Sequence, residues 1–221
     1  MSTNHILSRL SRADSRLLEP HLEAVDLPVR RQLAARNKRV QQVYFLESGI
    51  ASVVANGGRA IEIGIIGREG MTGSSVVMGN NDRAPHETYM QIAGNGLRMK
   101  ADELCEAIDA SDTLHRSLLR FAHAFMVQTA QTALANGRSK IEERLARWLL
   151  MANDRIDGKE IPLTHEFLGV MLGVQRPGVT IALQELERTG LIAHRRGLIS
   201  IVDRKGLEKN ANGAYVAPNH D

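Results

Sequence analysis

Basic side chains that can bind phosphate groups are concentrated near the C-terminal end of this 221-residue chain. Between residues 174 and 209, seven Arg and Lys residues stand against four acidic residues, a local excess of three positive charges: Arg176, Arg188, Arg195, Arg196, Arg204, Lys205 and Lys209. Guanidinium and ammonium groups attract the phosphates of nucleic acids. The net charge of the whole chain is only +3, so the distribution of charge favours this role more than its total. On charge alone, a solvated surface without a ligand is the more common explanation.

Residues that would support metal, redox or catalytic chemistry are sparse. Cys105 is the single cysteine, so it cannot close an intrachain disulfide or by itself hold an iron–sulfur cluster or a structural zinc. His115 and His123 are about 80° out of register on a helix and are poor joint metal ligands. No nucleophile, base and orienting group lie at a recognisable catalytic spacing, so we expect no enzymatic activity. Eight aromatic residues are too few for a platform that stacks single-stranded bases.

The elements that must position the basic residues are predicted by local signals downstream of residue 158. Thr164 is a helix N-cap type, Phe167, Leu168 and Met171 give a short helix an apolar face, and Gly173 allows a tight turn. A second helix follows, lined by Val179, Leu183 and Leu186. Residues 191–194 and 198–202 are two apolar strands joined by a basic turn. The sequence therefore predicts a winged helix-turn-helix.

The first hundred residues follow a different period and predict a β-roll. Short stretches rich in β-branched residues are separated by glycines, at 43–45, 50–54, 59–66, 72–77, 87–92 and 96–99. A helical segment over about 4–23 precedes them. We therefore expect an α+β fold, in which an N-terminal double-stranded β-helix, jelly-roll-like, forms a sensor domain.

A long helix is predicted between these two parts, over 112–136. One apolar stripe, through Leu114, Leu118, Phe121 and Phe125, can cover the β-roll, while a second, through Leu119, Ala122, Met126 and Ala133, remains for a partner helix. The simplest partner is the same helix of a second subunit, although one helix lying wholly on its own domain is the alternative. Asn136-Gly137 predicts the end of this helix, and Ser139 with Glu142 predicts a capping box for the next. The expected domains are residues 1–111, 112–137 and 138–221.

The chain resembles the Crp/Fnr family of transcription regulators over about residues 20–210. Val43-Tyr44-Phe45-Leu46-Glu47-Ser48-Gly49 and Ile66-Gly67-Arg68-Glu69-Gly70-Met71 resemble strands of the effector domain. Leu172-Gly173-Val174-Gln175-Arg176-Pro177-Gly178-Val179-Thr180 resembles the recognition helix. The resemblance implies a β-roll that senses a signal, a long helix that forms the dimer and a winged helix that reads DNA.

The resemblance also implies which residues contact DNA. Arg176 stands where the family has an arginine that binds guanine, whereas Pro177 replaces the glutamate of many relatives and cannot accept a hydrogen bond from cytosine. The usual half-site sequence therefore does not carry over. The full set of expected contacts to bases or phosphates is Thr164, His165, Gln175, Arg176, Gly178, Thr180, Arg195 and Arg196.

The sensor region departs further from the family pattern. Relatives that bind cyclic nucleotides carry a Gly-Glu pair for the ribose and an Arg followed by Ser or Thr for the phosphate, but here Gly73-Ser74-Ser75 lacks the glutamate and Arg83 lacks the hydroxyl neighbour. We therefore expect cyclic AMP not to bind, and the cofactor or effector remains unidentified. Candidate effector contacts are Arg83, Gln128, Thr129 and Thr132. A haem ligated by His86, as in gas-sensing relatives, is less well supported than a solvated histidine.

These observations predict a homodimeric regulator that binds an inverted-repeat operator of double-stranded DNA. RNA polymerase is an expected partner, no membrane association is expected, and the absence of an apolar N-terminal stretch predicts a cytoplasmic location. The alternative is an effector-binding or protein-interaction module whose winged helix does not read DNA.

Overall fold

The computed structural model describes residues 2–57, 60–80, 83–195 and 197–217, with residue 165 described by its backbone alone. The chain divides into two compact units. The N-terminal unit comprises Met1–Asn56 and Gly64–Gln128, and the C-terminal unit comprises Gly57–Ile63 and Thr129–Asp221. Among the described residues, none of the helices combines the length and the hydrophobicity needed to span a bilayer.

The N-terminal part is rich in β-structure, as predicted. Its elements are α1 (His5–Ser8), α2 (Arg12–Leu18), a 3-10 turn (Glu19–His21), β1 (Glu23–Leu27), β2 (Gln32–Ala34), β3 (Gln42–Leu46), β4 (Ile50–Asn56), β5 (Ala60–Ile66), α3 (Ser74–Val77), β6 (Glu87–Ile92), β7 (Gly94–Lys100) and α4 (Ala101–Ala110). Two antiparallel sheets form, with strand orders β1-β7-β3 and β2-β6-β4-β5. Phe45, Met71, Leu104, Leu114 and Leu118 are among the buried residues of the core of this unit.

Local prediction was wrong in three places of this unit. The strand expected at 72–77 is the short helix α3, which begins after Gly73, a residue with a positive φ of 81°. The helical segment expected over 4–23 is broken into α1, α2 and the 3-10 turn, because Ser11 caps α2 by accepting the Asp14 N–H. Strands β1 and β2 were not predicted.

The long helix α5 spans Asp112–Arg138. The predicted end at Asn136-Gly137 was wrong, since the helix continues to Arg138 and the Ser139 N–H still donates to the Ala135 carbonyl at 2.9 Å. An exposed glycine inside a helix costs only about 1 kcal/mol, so Gly137 does not by itself end α5.

The two apolar stripes of α5 have different environments. Leu114 and Leu118 are fully buried in the N-terminal unit, and Phe121 and Phe125 are half-buried there with their rings 6.3 Å apart. A Cβ added at Gly64 would lie 2.9 Å from the Phe125 ring, so glycine at this position lets β5 approach α5 closely. Of the second stripe, Ala122 is buried, whereas the rest is exposed: Leu119, Met126 and Ala133.

The C-terminal unit contains the predicted helix pair and wing, together with a strand and a helix that were not predicted. Its elements are α6 (Ile141–Asn153), β8 (Glu160–Pro162), α7 (His165–Leu172), α8 (Arg176–Arg188), β9 (Ile192–Arg195), β10 (Leu198–Ile201) and α9 (Arg204–Asn210). The three strands pair antiparallel in the order β8-β10-β9. Helix α6 starts one residue later than the predicted box, with Glu143 Oε2 accepting the Lys140 N–H at 2.9 Å.

Buried polar groups stabilise this unit from within. The indole Nε1 of Trp148 donates to Glu62 Oε1 at 2.6 Å. The Arg147 guanidinium donates to the Ala214 carbonyl at 3.0 Å, and burial lowers the pKa of Arg147 to about 10. Arg147 therefore remains charged at neutral pH.

Candidate nucleic-acid interface

Helix α7 is positioned by its cap and its apolar face. The Thr164 Oγ1 accepts the Phe167 N–H at 3.3 Å, which leaves the exposed Thr164 beside the first free amides of the helix. Leu168, Met171 and Leu172 are buried. Thr164 thus lies at the N-terminus of α7, a position that suits a phosphate contact. The side chain of His165 lies outside the described residues.

Gly173 makes the turn between α7 and α8 possible. Its φ is 60°, and the Val174 N–H donates back to the Gly169 carbonyl at 3.1 Å. A Cβ at Gly173 would also lie 2.9 Å from Ile61 Cδ1. Both the backbone conformation and the available space therefore favour glycine here.

Helix α8 has one buried face and one exposed face. Val179, Ala182, Leu183 and Leu186 are buried. Arg176 is the first residue of the helix, it is exposed, and no acidic side chain among the described residues pairs with it. The planar fork of Arg176 is therefore available to a ligand, at the end of the helix that meets base edges in helix-turn-helix proteins.

The neighbours of Arg176 differ in the polar groups that they can offer to DNA. Gln175 is exposed at the N-cap position and its side chain makes no capping hydrogen bond. The Thr180 hydroxyl donates to the Arg176 carbonyl at 3.1 Å, so only its acceptor capacity remains for a base or phosphate. At Gly178 an added Cβ would meet only ordinary contacts of 3.6–3.7 Å, so the protein itself does not require glycine there.

The wing is the hairpin of β9 and β10. Leu198 pairs with Arg195 across it, and Arg195 is exposed at the end of β9. Gly197 has a φ of 82°, consistent with a tight turn. Arg196 lies outside the described residues.

Two of the clustered basic residues are engaged within the protein. Arg188 Nη2 lies 2.7 Å from Glu185 Oε1, and this hydrogen-bonded pairing raises the pKa of Arg188. Arg204 contacts Asp154 at 2.7 Å and the Tyr215 hydroxyl at 2.9 Å. Of the described basic residues of the cluster, this leaves four without a described ion pair: Arg176 at the start of α8, Arg195 on the wing, and Lys205 and Lys209 on α9. This internal pairing could not be read from the sequence.

Sequence reasoning overlooked Ile181 and Gln184, which lie on the exposed face of α8. The signal was present, because a period of about 100° per residue places both opposite the buried stripe.

The candidate effector residues are not brought into one site by described contacts. Gln128 hydrogen-bonds both backbone groups of Ile65, at 2.7 Å to its N–H and 3.1 Å to its carbonyl. In the C-terminal unit, Thr132 Oγ1 accepts from Arg147 Nη2 at 3.1 Å, and Thr129 is half-buried. Arg83 is exposed in a loop.

The described histidines and the single cysteine do not form a metal-ligand cluster. Burial, with a smaller contribution from Arg36, lowers the pKa of His86, so its imidazole is neutral at pH 7. Within the described residues no three His, Cys, Asp or Glu side chains are grouped so as to hold a metal ion. Cys105 is half-buried.

Comparison with known proteins identifies the type of domain that carries these residues. Residues 143–210 match the family model of the Crp-like helix-turn-helix domain. The match spans most of α6 and all of α7, α8, the wing and α9. The chain is a transcription regulator with the Crp/Fnr fold. This regulator is 27% identical over 192 residues to the transcriptional regulator LdrP of Thermus thermophilus, an alignment that covers 82% of the chain and 93% of LdrP.

Solved structures of the Crp/Fnr type share the fold over nearly the full length of the chain. A regulator of the Crp/Fnr family from Eubacterium rectale is 18% identical and matches with a TM-score of 0.72, covering 93% of this chain and 97% of the other. The global regulator CLP of Xanthomonas campestris, described as responsive to c-di-GMP, is 14% identical with a TM-score of 0.69, covering 87% of this chain and all of CLP.

Proposed function

We propose that this Crp/Fnr regulator acts without catalysis, as a homodimer that binds an inverted-repeat operator in double-stranded DNA. The observation that carries the proposal is the exposed guanidinium of Arg176 at the first residue of α8, which pairs with no acidic side chain among the described residues. The opposite face of this helix is buried in its own unit. A helix held in this way can enter a major groove with its N-terminal residues foremost.

Arg176 is the proposed base-reading residue. Its fork of donors fits guanine O6 and N7, an interaction that contributes about 1–3 kcal/mol of discrimination. Pro177 fits the first turn of α8, where a backbone N–H has no helical acceptor, but it offers no acceptor for cytosine. The operator therefore has a guanine in each half-site without the neighbouring contact that a glutamate would supply.

Arg195, Arg196 and the α7 N-terminus at Thr164 are proposed to contact phosphates. These contacts hold the protein on the duplex and carry no sequence information. Arg195 is exposed at the end of β9, which is where a wing contact requires it.

The homodimer is proposed to form through α5. Four large hydrophobic residues are exposed along one side of this helix: Leu119, Met126, Val127 and Leu134. Leu119 and Met126 are seven residues apart, as are Val127 and Leu134, which is the spacing of a coiled-coil seam. A twofold dimer requires the half-sites to lie about one helical turn of DNA apart.

The β-roll is proposed to receive the signal, and RNA polymerase is proposed as the protein partner on DNA. CLP, which shares the fold, is described as responsive to c-di-GMP, so a protein of this fold can respond to a signal other than cyclic AMP. Cyclic AMP is not the proposed signal, since the glutamate and hydroxyl that would bind it are missing around Gly73 and Arg83.

The test separates base reading from phosphate contact. A duplex selected from a random pool and a scrambled duplex are titrated over a salt series with wild type, Arg176→Ala and Arg195→Ala. Arg176→Ala should lose about 1–3 kcal/mol per half-site on the selected duplex and little on the scrambled one. Arg195→Ala should weaken both duplexes about equally and reduce the slope of log affinity against log salt by about 0.9 for each lost contact.

A control variant removes one positive charge far along the chain from the proposed interface. Arg39→Ala serves, because Arg39 belongs to the N-terminal unit and pairs with Asp102 at 2.8 Å. Equal losses for Arg176→Ala and Arg195→Ala on both duplexes would refute base reading by Arg176. No selected duplex at all would favour a module that binds an effector or a protein.

A further inference from the structure

Ile181 is an exposed apolar residue in the middle of the proposed reading helix. Its exposed fraction is 64%, the highest of any large hydrophobic residue among those the structure describes. The other aliphatic residues of α8 are at most 2% exposed. Ile181 therefore contributes nothing to the core that the rest of the helix helps to build.

The position of Ile181 on α8 is defined by the buried stripe. At about 100° per residue, Pro177, Ile181 and Gln184 lie opposite the stripe centred on Val179 and Leu186. Pro177 and Ile181 are one turn apart and both are exposed. Together they form an apolar strip on the outer face of the helix, about 6 Å long.

The strip itself offers a base no hydrogen-bonding side chain, although Thr180 and Gln184 flank it. Pro177 and Ile181 have no side-chain donor or acceptor, and the Thr180 hydroxyl already donates to the Arg176 carbonyl. The thymine C5-methyl is the apolar group that a base pair presents in the major groove. An aliphatic side chain at the centre of a reading face therefore favours thymine, whose methyl group it can contact.

We infer that Ile181 is a specificity-determining residue that contacts the C5-methyl of a thymine in each half-site. The inference rests on the DNA binding proposed above. Along the helix axis Ile181 lies about 7.5 Å from Arg176, which corresponds to about two base-pair steps. The thymine is thus expected within about two base pairs of the guanine that Arg176 reads.

The experiment deletes the methyl group from the DNA and its partner from the protein. A duplex selected by wild type is compared with the same duplex in which that thymine is replaced by deoxyuridine in both half-sites. Wild type should lose about threefold to fivefold in affinity per half-site, the factor that corresponds to one buried methyl group. Ile181→Ala should bind the thymine duplex more weakly and should not distinguish the two duplexes.

Val202→Ala is the matched control. It removes an aliphatic side chain that is 63% exposed but lies outside α8, so it should retain the wild-type preference for thymine. Thermal unfolding of each variant shows whether the fold is intact.

The outcomes distinguish this inference from the proposed function. If wild type ignores deoxyuridine replacement, or if Ile181→Ala keeps the same thymine preference, Ile181 does not read a methyl group while DNA binding stands. If Ile181→Ala binds every duplex as wild type does but loses association with another protein, Ile181 belongs to a protein interface. If wild type selects no duplex, both the proposed function and this inference fail.

Discussion

Replacing Met126 by Glu should dissociate the proposed dimer. Met126 is 61% exposed on α5 and lies at the centre of the stripe formed by Leu119, Val127 and Leu134. In a parallel seam between two copies of α5, this side chain would be covered by its own counterpart. The substitution puts two carboxylates into an apolar interface.

The magnitude follows from the area that remains to be covered. Full burial of a methionine side chain contributes about 1.5–3 kcal/mol, so covering the exposed part of Met126 contributes about 1–2 kcal/mol per subunit. Twofold symmetry doubles this to about 2–4 kcal/mol. Loss of this burial alone raises the dissociation constant of the dimer about 30-fold to 700-fold, and desolvation of the two carboxylates raises it further.

Sedimentation equilibrium measures the effect directly. Wild type should have twice the monomer mass of 24.3 kDa at micromolar concentration, and Met126→Glu should shift toward the monomer mass. Met78→Glu is the control, because Met78 is 60% exposed but lies outside α5. It makes the same change of side chain away from the stripe and should remain dimeric.

Two results would refute the dimer reasoning. One is a wild-type mass of 24.3 kDa at micromolar concentration. The other is a Met126→Glu variant that sediments as wild type does, which would place the seam elsewhere. Unfolding of Met126→Glu, checked by circular dichroism, would instead mean that α5 needs this side chain for its own fold.

Two further predictions concern the N-terminal unit. Hydrogen bonds, first from Ser111 and then from Ser11 and Thr113, outweigh burial and hold the pKa of Asp14 below its ordinary value of 3.8. A carboxylate with a lowered pKa stabilises the fold above pH 3.8, and this stabilisation is lost as the pH falls through the folded pKa. Asp14→Asn should therefore lower the melting temperature at pH 7 and flatten its fall in acid. The control Asp109→Asn, at an exposed position, should follow wild type. Calorimetric titration with cyclic AMP should give no saturable binding, and a dissociation constant below about 10 μM, roughly −7 kcal/mol, would contradict the interpretation of the Gly73 and Arg83 segments.

The sequence alone determined the elements whose signals are local. Thr164 caps α7, Gly173 adopts the left-handed conformation at its end and Pro177 sits in the first turn of α8, each as the residue type predicts. These features depend on backbone geometry within a few residues. The helix pair and its wing were therefore predictable before any contact was known.

Tertiary packing decided the features for which local signals were ambiguous or overruled. Two adjacent residues of α5 differ in burial: Phe125 packs near Gly64 in its own unit, whereas Met126 is exposed. The sequence could not separate them, because both belong to apolar stripes. The β-branched residues at 72–77 predicted a strand, but Val76 and Val77 are buried as part of a short helix. Intrinsic propensities differ by less than about 1 kcal/mol per residue, so burial of one aliphatic side chain can reverse them.

The candidate interface shows the same division between local and long-range causes. The residue type and helix position of Arg176 follow from the sequence, but its availability depends on which acidic groups other arginines occupy. Arg204 is bound to Asp154, fifty residues away along the chain, and Arg188 to Glu185 on its own helix. Charge counting cannot tell these arginines apart, because Coulomb attraction depends on the distances that folding creates.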